Sequence, residues 1–498
     1  MTALIIHGHF YQPPRENPWT GEIEVQLGAA PYHDWNERIH SECYGPNAFA
    51  HIGNDLAVIN NYRNISFNFG PTLLSWLAKH QARTYERILA ADRESAGLRS
   101  GHGNAIAQAY GHAILPLCNP RDRLTQIIWG IEDFRYRFGR HPESLWLPET
   151  ACNDATLSAL IEQGMRYVIL APEQARRVRS LRDESWTTVP AGGIDTTRSY
   201  RYSHKDGSGR SLAVFFYHGA LARAIAFERA LSSSRGLVNG FVQVAQNGQL
   251  VNVATDGETY GHHFKFGDLC LAHALEIEAK EAGFWITNYG EYLDRHSAEL
   301  EVELNLGPLN EGTSWSCSHG VGRWARDCGC HTGGKVGWNQ SWREPLRAAL
   351  NFLRDDATSH FEEAGADLFY DPWEARNAYV NVLLKPESWS EFLGAQQKHE
   401  LTPDAAERAR TLLEIQRNSL LMFTSCGWFF SDLAGIETIQ IMRYAARLIE
   451  LQNQIGFDTP QTKFLEMMAA AKSNDLGKGN GAEIFLRYAS AEARAQLR

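Results

Sequence analysis

Through roughly the first 290 residues, short apolar runs that end in polar or charged residues alternate with amphipathic stretches. The runs at 2–7, 64–70, 144–149, 167–171, 212–218, 250–256 and 284–287 read as strands. They are too continuous in apolar character for strands with one wet face, so they predict a sheet buried on both sides. Helical patterns follow several of them, including 72–92, 153–164 and 220–231, with Asn153 or Asp154 placed to cap the second of these. About seven such units predict parallel strands curled as a barrel rather than an open sheet. The polar stretch 195–211 interrupts the rhythm and reads as a loop or hairpin. From about residue 343 the period changes. Segments 344–365, 371–386, 402–425 and 434–455 carry apolar residues near i, i+3, i+4 and i+7, the spacing of helices that bury one face. The expected organisation is an α/β catalytic part over 1–300 as an incomplete (β/α)7 barrel, a Trp- and Cys-rich loop region over 301–342, and an α-helical bundle over 343–498.

Strand ends matter because βα barrels build their active sites there. His7 and His9, Glu149 and Asp256 all fall at the C-terminal ends of predicted strands. Any one of them is explained as a cap or a hydrogen-bonded core group, but four at equivalent positions point to a site. Glu149 and Asp256 supply the two carboxylates that glycoside hydrolysis needs, one to attack the anomeric carbon and one to protonate the leaving oxygen. The stretch 252–268 adds Glu258, His262, His263 and Asp268, which suit either acid/base work or a metal. No His-Glu-x-x-His pattern is present, and no metal ligand set is assigned. In 313–331, Cys317, His319, Cys328, Cys330 and His331 could form a metal site, but their C-x-H and C-x-C-H spacings differ from common zinc frameworks. Trp315, His319, Arg323 and Trp324 are read instead as lining a sugar-binding cleft.

Composition narrows the classes. The chain has 498 residues and a net charge of −10 without a basic run, which argues against a nucleic-acid partner. No segment approaches the ~20 apolar residues of a membrane span, and the N-terminus lacks a signal-like region, so a cytoplasmic location is expected. Eight cysteines in so long a chain do not form a disulfide framework.

Five segments together resemble glycoside hydrolase family 57, in the subset with an extra C-terminal helical region. They are "HGHFYQPP" (7–14), "GNAIAQAYGHAILPL" (103–117), "LWLPETA" (145–151), "TDGETYGHH" (255–263) and "FTSCGWFFSD" (423–432). The resemblance implies the incomplete (β/α)7 barrel, retention of anomeric configuration, α-glucan substrates and no cofactor. It gives Glu149 the nucleophile's role and Asp256 the acid/base role. It implies substrate contacts for His7, His9, Gln12, His112, Trp146, Glu258, His262 and Trp428, the last delivered to the cleft from between two C-terminal helices. Expected activities are α-1,4-glucan hydrolysis or 4-α-glucan transfer, with branching second. A metal-dependent polysaccharide deacetylase using the histidines and Asp256 is the alternative from another class, and a non-catalytic glucan-binding protein is a third.

Overall fold

In the computed structural model, which describes residues 1–53, 57–246 and 248–490, the first strand (Ala3–Phe10) is central and buried along its whole length. It pairs in parallel with Leu250–Asp256 on one side. On the other it pairs with Trp285–Ile286 near its start and with Ser66–Phe69 near its end. Parallel pairing continues from Phe67 to Ala105, from Ala107–Gln108 to Leu145–Trp146, from Ser144 to Tyr167, and from Tyr167–Leu170 to Ser211–Phe216. Seven parallel strands, from Leu250–Asp256 to Ser211–Phe216, therefore lie in one arc, with the short Trp285–Ile286 as an eighth beside the start of Ala3–Phe10. No ladder joins its last strand to Leu250–Asp256 among the described residues, and the two edges meet through the His218 amide, which donates to the Asn252 carbonyl at 2.8 Å. The strand at Ala107–Gln108 was not read from the sequence.

The polar stretch 195–211 contributes a hairpin: Ser199–Ser203 pairs antiparallel with Ser211–Phe216. Beyond it, Leu300–Leu304 pairs with Ala175–Ser180, so strand structure continues past residue 300. These outer strands alternate charge and apolar residues, and Arg177–Glu303 and Arg179–Glu301 ion pairs cross between them.

The helical stretches are close to their sequence-based positions. The stretch at 72–92 is two helices, Pro71–His80 and Ala82–Leu98, broken at Gln81. Asp154–Glu162 begins on Asn153, whose side chain accepts from the Thr156 amide. In the C-terminal part, Arg343–Leu368, Pro403–Leu421 and Ile436–Gln454 are the long helices. They pack on each other around Leu350, Leu413 and Leu448. The last eight residues assigned to this region, 491–498, lie outside the described residues.

The same apolar cluster takes in Ala113, Ile114, Trp129 and Ala151 from the α/β part, so the two parts share one core. Polar ties reinforce it. Arg376 is buried and pairs with Asp122 at 2.8 Å, while the Trp129 indole donates to the Arg376 carbonyl at 3.0 Å. Among the described residues no helix is long and apolar enough to cross a membrane.

Candidate active site

Strand register sets the site. His7, Ser66 and Ala254 share one level of the sheet; two residues later, His9, Asn68 and Asp256 share the next. Side chains two apart on a strand point the same way, so the C-terminal ends of three strands present a column of polar groups. The Asn68 amide holds this column together. It contacts His7 Nε2 at 3.1 Å and His9 Nδ1 at 3.0 Å, and donates to Gln108 Oε1 at 2.8 Å. His7 Nδ1 completes its ring with Ser66 Oγ at 3.0 Å. Both histidines are buried, which pushes each pKa down to about 3 and keeps them neutral.

Glu149 follows the short strand Leu145–Trp146 and has a left-handed backbone, φ 60° and ψ 22°. Thr150 is also left-handed, φ 49°. Two successive non-glycine residues in this region store strain that the surroundings must hold in place. The loop after Gly312 does so. Cys152 and Thr313 exchange backbone hydrogen bonds at 2.9 and 3.0 Å, and the Trp315 amide donates to the Glu149 carbonyl at 3.0 Å. The side chains of the same loop reach the carboxylate: Trp315 Nε1 donates to Glu149 Oε2 at 2.9 Å and Ser316 Oγ donates to it at 2.6 Å. Burial raises the Glu149 pKa; the Ser316 and Trp315 hydrogen bonds and the positive charge of Arg323 oppose that rise.

Asp256 has a different setting. Its carboxylate accepts no hydrogen bond among the described residues, and its side chain touches solvent at the mouth of the site. Crowding by surrounding protein, then the charges of Glu258 and Glu149, raise its pKa well above the usual range. Its contact with solvent limits the size of that shift. Glu258 accepts from Tyr44 Oη at 2.6 Å and from the Tyr11 amide at 3.1 Å, yet burial still pushes it up to about 7. Gln12 sits behind this group, donating to Tyr44 Oη at 3.2 Å and accepting from Arg15 at 2.9 Å.

An aromatic stack lies beside the carboxylates. Trp146 stacks on His7 and His9 with ring centroids 4.7 and 5.0 Å away, and Tyr11 covers His112 at 3.7 Å. His112 Nε2 meets His9 Nε2 at 3.2 Å, and its Nδ1 meets Ser425 Oγ at 2.6 Å. The Ser425 amide donates back to the His112 carbonyl at 3.0 Å. The segment between the C-terminal helices thus reaches the site through Ser425, and the adjacent Cys426 lies close enough to act on Tyr11.

Several expected substrate contacts are placed elsewhere. Trp428 is fully buried among the C-terminal helices; its indole donates to the Arg343 carbonyl at 3.3 Å and its ring lies under Arg347. Its face is covered and cannot stack on a sugar. Trp324 is likewise fully buried in that core. Trp146 and His7 are covered by the stack and support it from beneath. His262 pairs with Glu42 and meets Trp35 in an edge-type ring contact, and it makes no hydrogen bond to Glu149 or Asp256 among the described residues. His319 lies with Cys317, Cys328 and Cys330, their ligand atoms all within 4.8 Å of one another. The sequence left a metal site open for this group but favoured a cleft lining. Arg323 is buried with its guanidinium 4.4 Å over the Phe429 ring and acts on Glu149 through its charge. Asn68, Tyr44, Tyr11 and Ser316 were missed. Ser316 had a sequence signal as the neighbour of Trp315, and Tyr11 as a member of the 7–14 segment.

A cleft of about 820 Å³ opens between Pro14–Ile23, the helix Pro71–His80 and the C-terminal helices, and its lining includes neither Glu149 nor Asp256.

A family model described as glycosyl hydrolase family 57 matches residues 8–305, and a second, described as a domain of unknown function (DUF3536), matches 338–497. No curated protein matches the chain. Among solved structures, an exo-type maltose-forming amylase from Pyrococcus sp. ST04 is similar at 14% identity and TM-score 0.67, with 99% of this chain and 94% of that chain covered. A GH57-type branching enzyme from Pyrococcus horikoshii is similar at 16% identity and TM-score 0.55, with 94% of each chain covered. A 4-α-glucanotransferase from Thermococcus litoralis is similar at 16% identity and TM-score 0.51, with 90% of this chain and 58% of that chain covered. At these identities the likeness is one of fold.

Proposed function

The chain belongs to glycosyl hydrolase family 57, and from that premise we propose that it is a retaining glycoside hydrolase or transglycosidase acting on α-1,4-glucans. Glu149 attacks the anomeric carbon and Asp256 protonates the leaving oxygen. A covalent glycosyl-enzyme forms, and Asp256 then deprotonates the water or sugar hydroxyl that releases it. The observation that carries this division of labour is the asymmetry of the two carboxylates. Glu149 is met by two donors and a nearby guanidinium, all of which favour its ionised form. Asp256 accepts no hydrogen bond among the described residues, and burial, then the charges of Glu258 and Glu149, favour its protonated form. Environments that push two acids apart assign the nucleophile and the acid.

In this reading the seven-strand arc is the family's incomplete (β/α)7 barrel. It occupies about residues 1–300, with a cleft loop over 301–342 and a helical bundle from 343 onwards. Ser425 extends the active site from that bundle. Trp315 is the aromatic face available to a sugar, since it is partly exposed and already oriented by Glu149. Eight cysteines without a disulfide among the described residues suit a reducing, cytoplasmic setting. The deacetylase alternative loses ground on geometry. Among the described residues the only cluster of metal-ligating groups is the one at Cys317, and His7 and His9 are turned toward Ser66, Asn68 and His112.

Incubation with a panel of defined α-1,4-oligosaccharides, with product analysis by chromatography and debranching, tests the activity. Shorter oligosaccharides support hydrolysis and redistributed lengths support transfer; new α-1,6 linkages would move the assignment to branching. No reaction on any α-glucan, by protein that Glu149→Gln leaves equally inert, would overturn it.

A further inference from the structure

Cys317, His319, Cys328 and Cys330 belong to two short hooks, C-x-H and C-x-C, at either end of one loop. Their side chains converge. Cys317 Sγ lies 3.8 Å from Cys328 Sγ and 3.8 Å from Cys330 Sγ, and Cys330 Sγ lies 3.5 Å from His319 Nδ1. A disulfide would bring two sulfurs to ~2.05 Å, so these are not bonded pairs. The spacing is that of ligands around a common centre. With Zn–S of ~2.3 Å and Zn–N of ~2.0–2.1 Å, a tetrahedral ion sets its sulfurs ~3.8 Å apart and a sulfur and a nitrogen ~3.5 Å apart.

Two further features fit such a centre. Arg343 is fully buried and forms no ion pair among the described residues, and it donates to the Cys330 carbonyl at 2.7 Å. An uncompensated buried cation is costly. A zinc ion with three thiolates and one neutral imidazole carries a net charge of −1 and would offset it. The backbone also makes room. Gly329, between Cys328 and Cys330, is left-handed at φ 80°, a conformation glycine adopts without strain. A Cβ on Gly322 would stand 3.1 Å from Cys328 Cβ.

We propose that Cys317, His319, Cys328 and Cys330 bind one zinc ion in a closed, structural tetrahedral site. Binding displaces the three thiol protons to solvent and uses the neutral imidazole through Nδ1; no redox change is involved. Four protein ligands leave no open position for substrate or water, so the ion is not a catalyst. Its role is to fix the loop. Ser316, which donates to Glu149, precedes Cys317 directly, and Trp315 lies one residue further back. The ion therefore anchors the segment that orients the carboxylate. That consequence rests on the function proposed above, but the metal binding does not.

The test uses the full chain, expressed in zinc-supplemented medium and purified without chelator. Elemental analysis should find one zinc per chain in the wild type and in Glu149→Gln, and less than about a fifth of that in Cys330→Ser. His331→Ala, an exposed neighbour outside the cluster, should retain the ion. If Cys330→Ser fails to fold, chelated wild type titrated with Co²⁺ gives the answer: one equivalent should produce the visible absorption of tetrahedral thiolate-bound cobalt. Hydrogen exchange at 313–331 should rise on chelation and fall when Zn²⁺ is restored. Zinc-free wild type that gives no cobalt spectrum would overturn the proposal. So would a Cys317–Cys328 disulfide found by mass spectrometry of protein kept under native conditions. Zinc in Glu149→Gln together with absent glycosidase activity in wild type would leave the metal site standing and defeat the functional reading alone.

Discussion

Replacing Ser316 by alanine removes one of the two side-chain donors to Glu149 and leaves the backbone of the loop unchanged. The lost contact is short, 2.6 Å, and its acceptor is ionised in the working enzyme. A hydrogen bond to a charged group is worth ~1.5–3 kcal/mol, and one pKa unit corresponds to ~1.4 kcal/mol. Partial exposure of Glu149 and the remaining Trp315 donor favour the lower end, so the Glu149 pKa should rise by about one unit. The sign follows directly: the donor stabilised the ionised form, and without it the carboxylate protonates at higher pH. Because the nucleophile must be ionised, the acidic limb of the kcat/KM profile should move up by about one pH unit, with the alkaline limb little changed. The assay is kcat/KM on a maltooligosaccharide across the pH range, for wild type, Ser316→Ala and Trp315→Phe. The Trp315→Phe variant keeps an aromatic face and loses only the indole donor, so it should shift the same limb in the same direction. An acidic limb that stays in place, or moves to lower pH, in both variants would refute the assignment of Glu149 as the ionised partner.

Other outcomes follow from the same geometry. Glu258→Gln removes the larger of the two carboxylate charges that raise Asp256, so the alkaline limb of kcat/KM should move to lower pH. Trp428→Ala should act on stability rather than on substrate affinity: emptying so large a core position costs ~3–5 kcal/mol, so calorimetry should show a clear fall in Tm with KM nearly unchanged. Ser425→Ala strands the Nδ1 of buried His112, a loss of ~1–3 kcal/mol, and should lower kcat/KM; a fragment ending at residue 342 should be inactive because it lacks Ser425 and exposes Ala113, Ile114 and Trp129. His7 and His9 ionise near 6.5 when unfolded but only at about 3 when folded. The unfolded chain therefore takes up more protons as pH falls from 6.5 toward 3, and stability drops by on the order of 2 kcal/mol per histidine at pH 5, with no contribution from these groups above pH 6.5. Denaturant titrations at pH 7.5, 6 and 5 measure that slope.

Much of this was legible in the sequence because burial on both faces and burial on one face leave different periods. The strands Ala3–Phe10, Leu145–Trp146 and Leu250–Asp256 and the four C-terminal helical stretches were read nearly in place for that reason. The strand at Ala107–Gln108 was not: it is as short as Leu145–Trp146, but Gln108 and Gly111 break the apolar run that marks the latter. The strands Ala175–Ser180 and Leu300–Leu304 were hidden by charge, and only their pairing across more than a hundred residues turns those arginines and glutamates into partners. A histidine at a strand end reads the same whether it faces a sugar or an asparagine; Asn68 decides the matter for His7, and no local pattern announces Asn68. Trp428 failed for a related reason. An aromatic in a motif between two amphipathic helices suits a cleft or a core equally, and here the core won, while the neighbouring Ser425 reached the site. The cysteines were legible as a group but not as a cluster, because the Cys328–Cys330 hook turns at left-handed Gly329 and meets Cys317 and His319 only across the loop.

The central claim, that Glu149 forms a covalent bond to the substrate and Asp256 serves it as acid and base, is tested most directly by trapping. A 5-fluoro-α-glycosyl fluoride slows both steps of double displacement, and peptide mapping by mass spectrometry then finds the labelled side chain. The account predicts a single glycosylated peptide carrying the label on Glu149, and an α-anomer as the first product of an α-linked substrate when the reaction is followed by proton NMR. A β-anomer released first, or a label on any other residue, would contradict it.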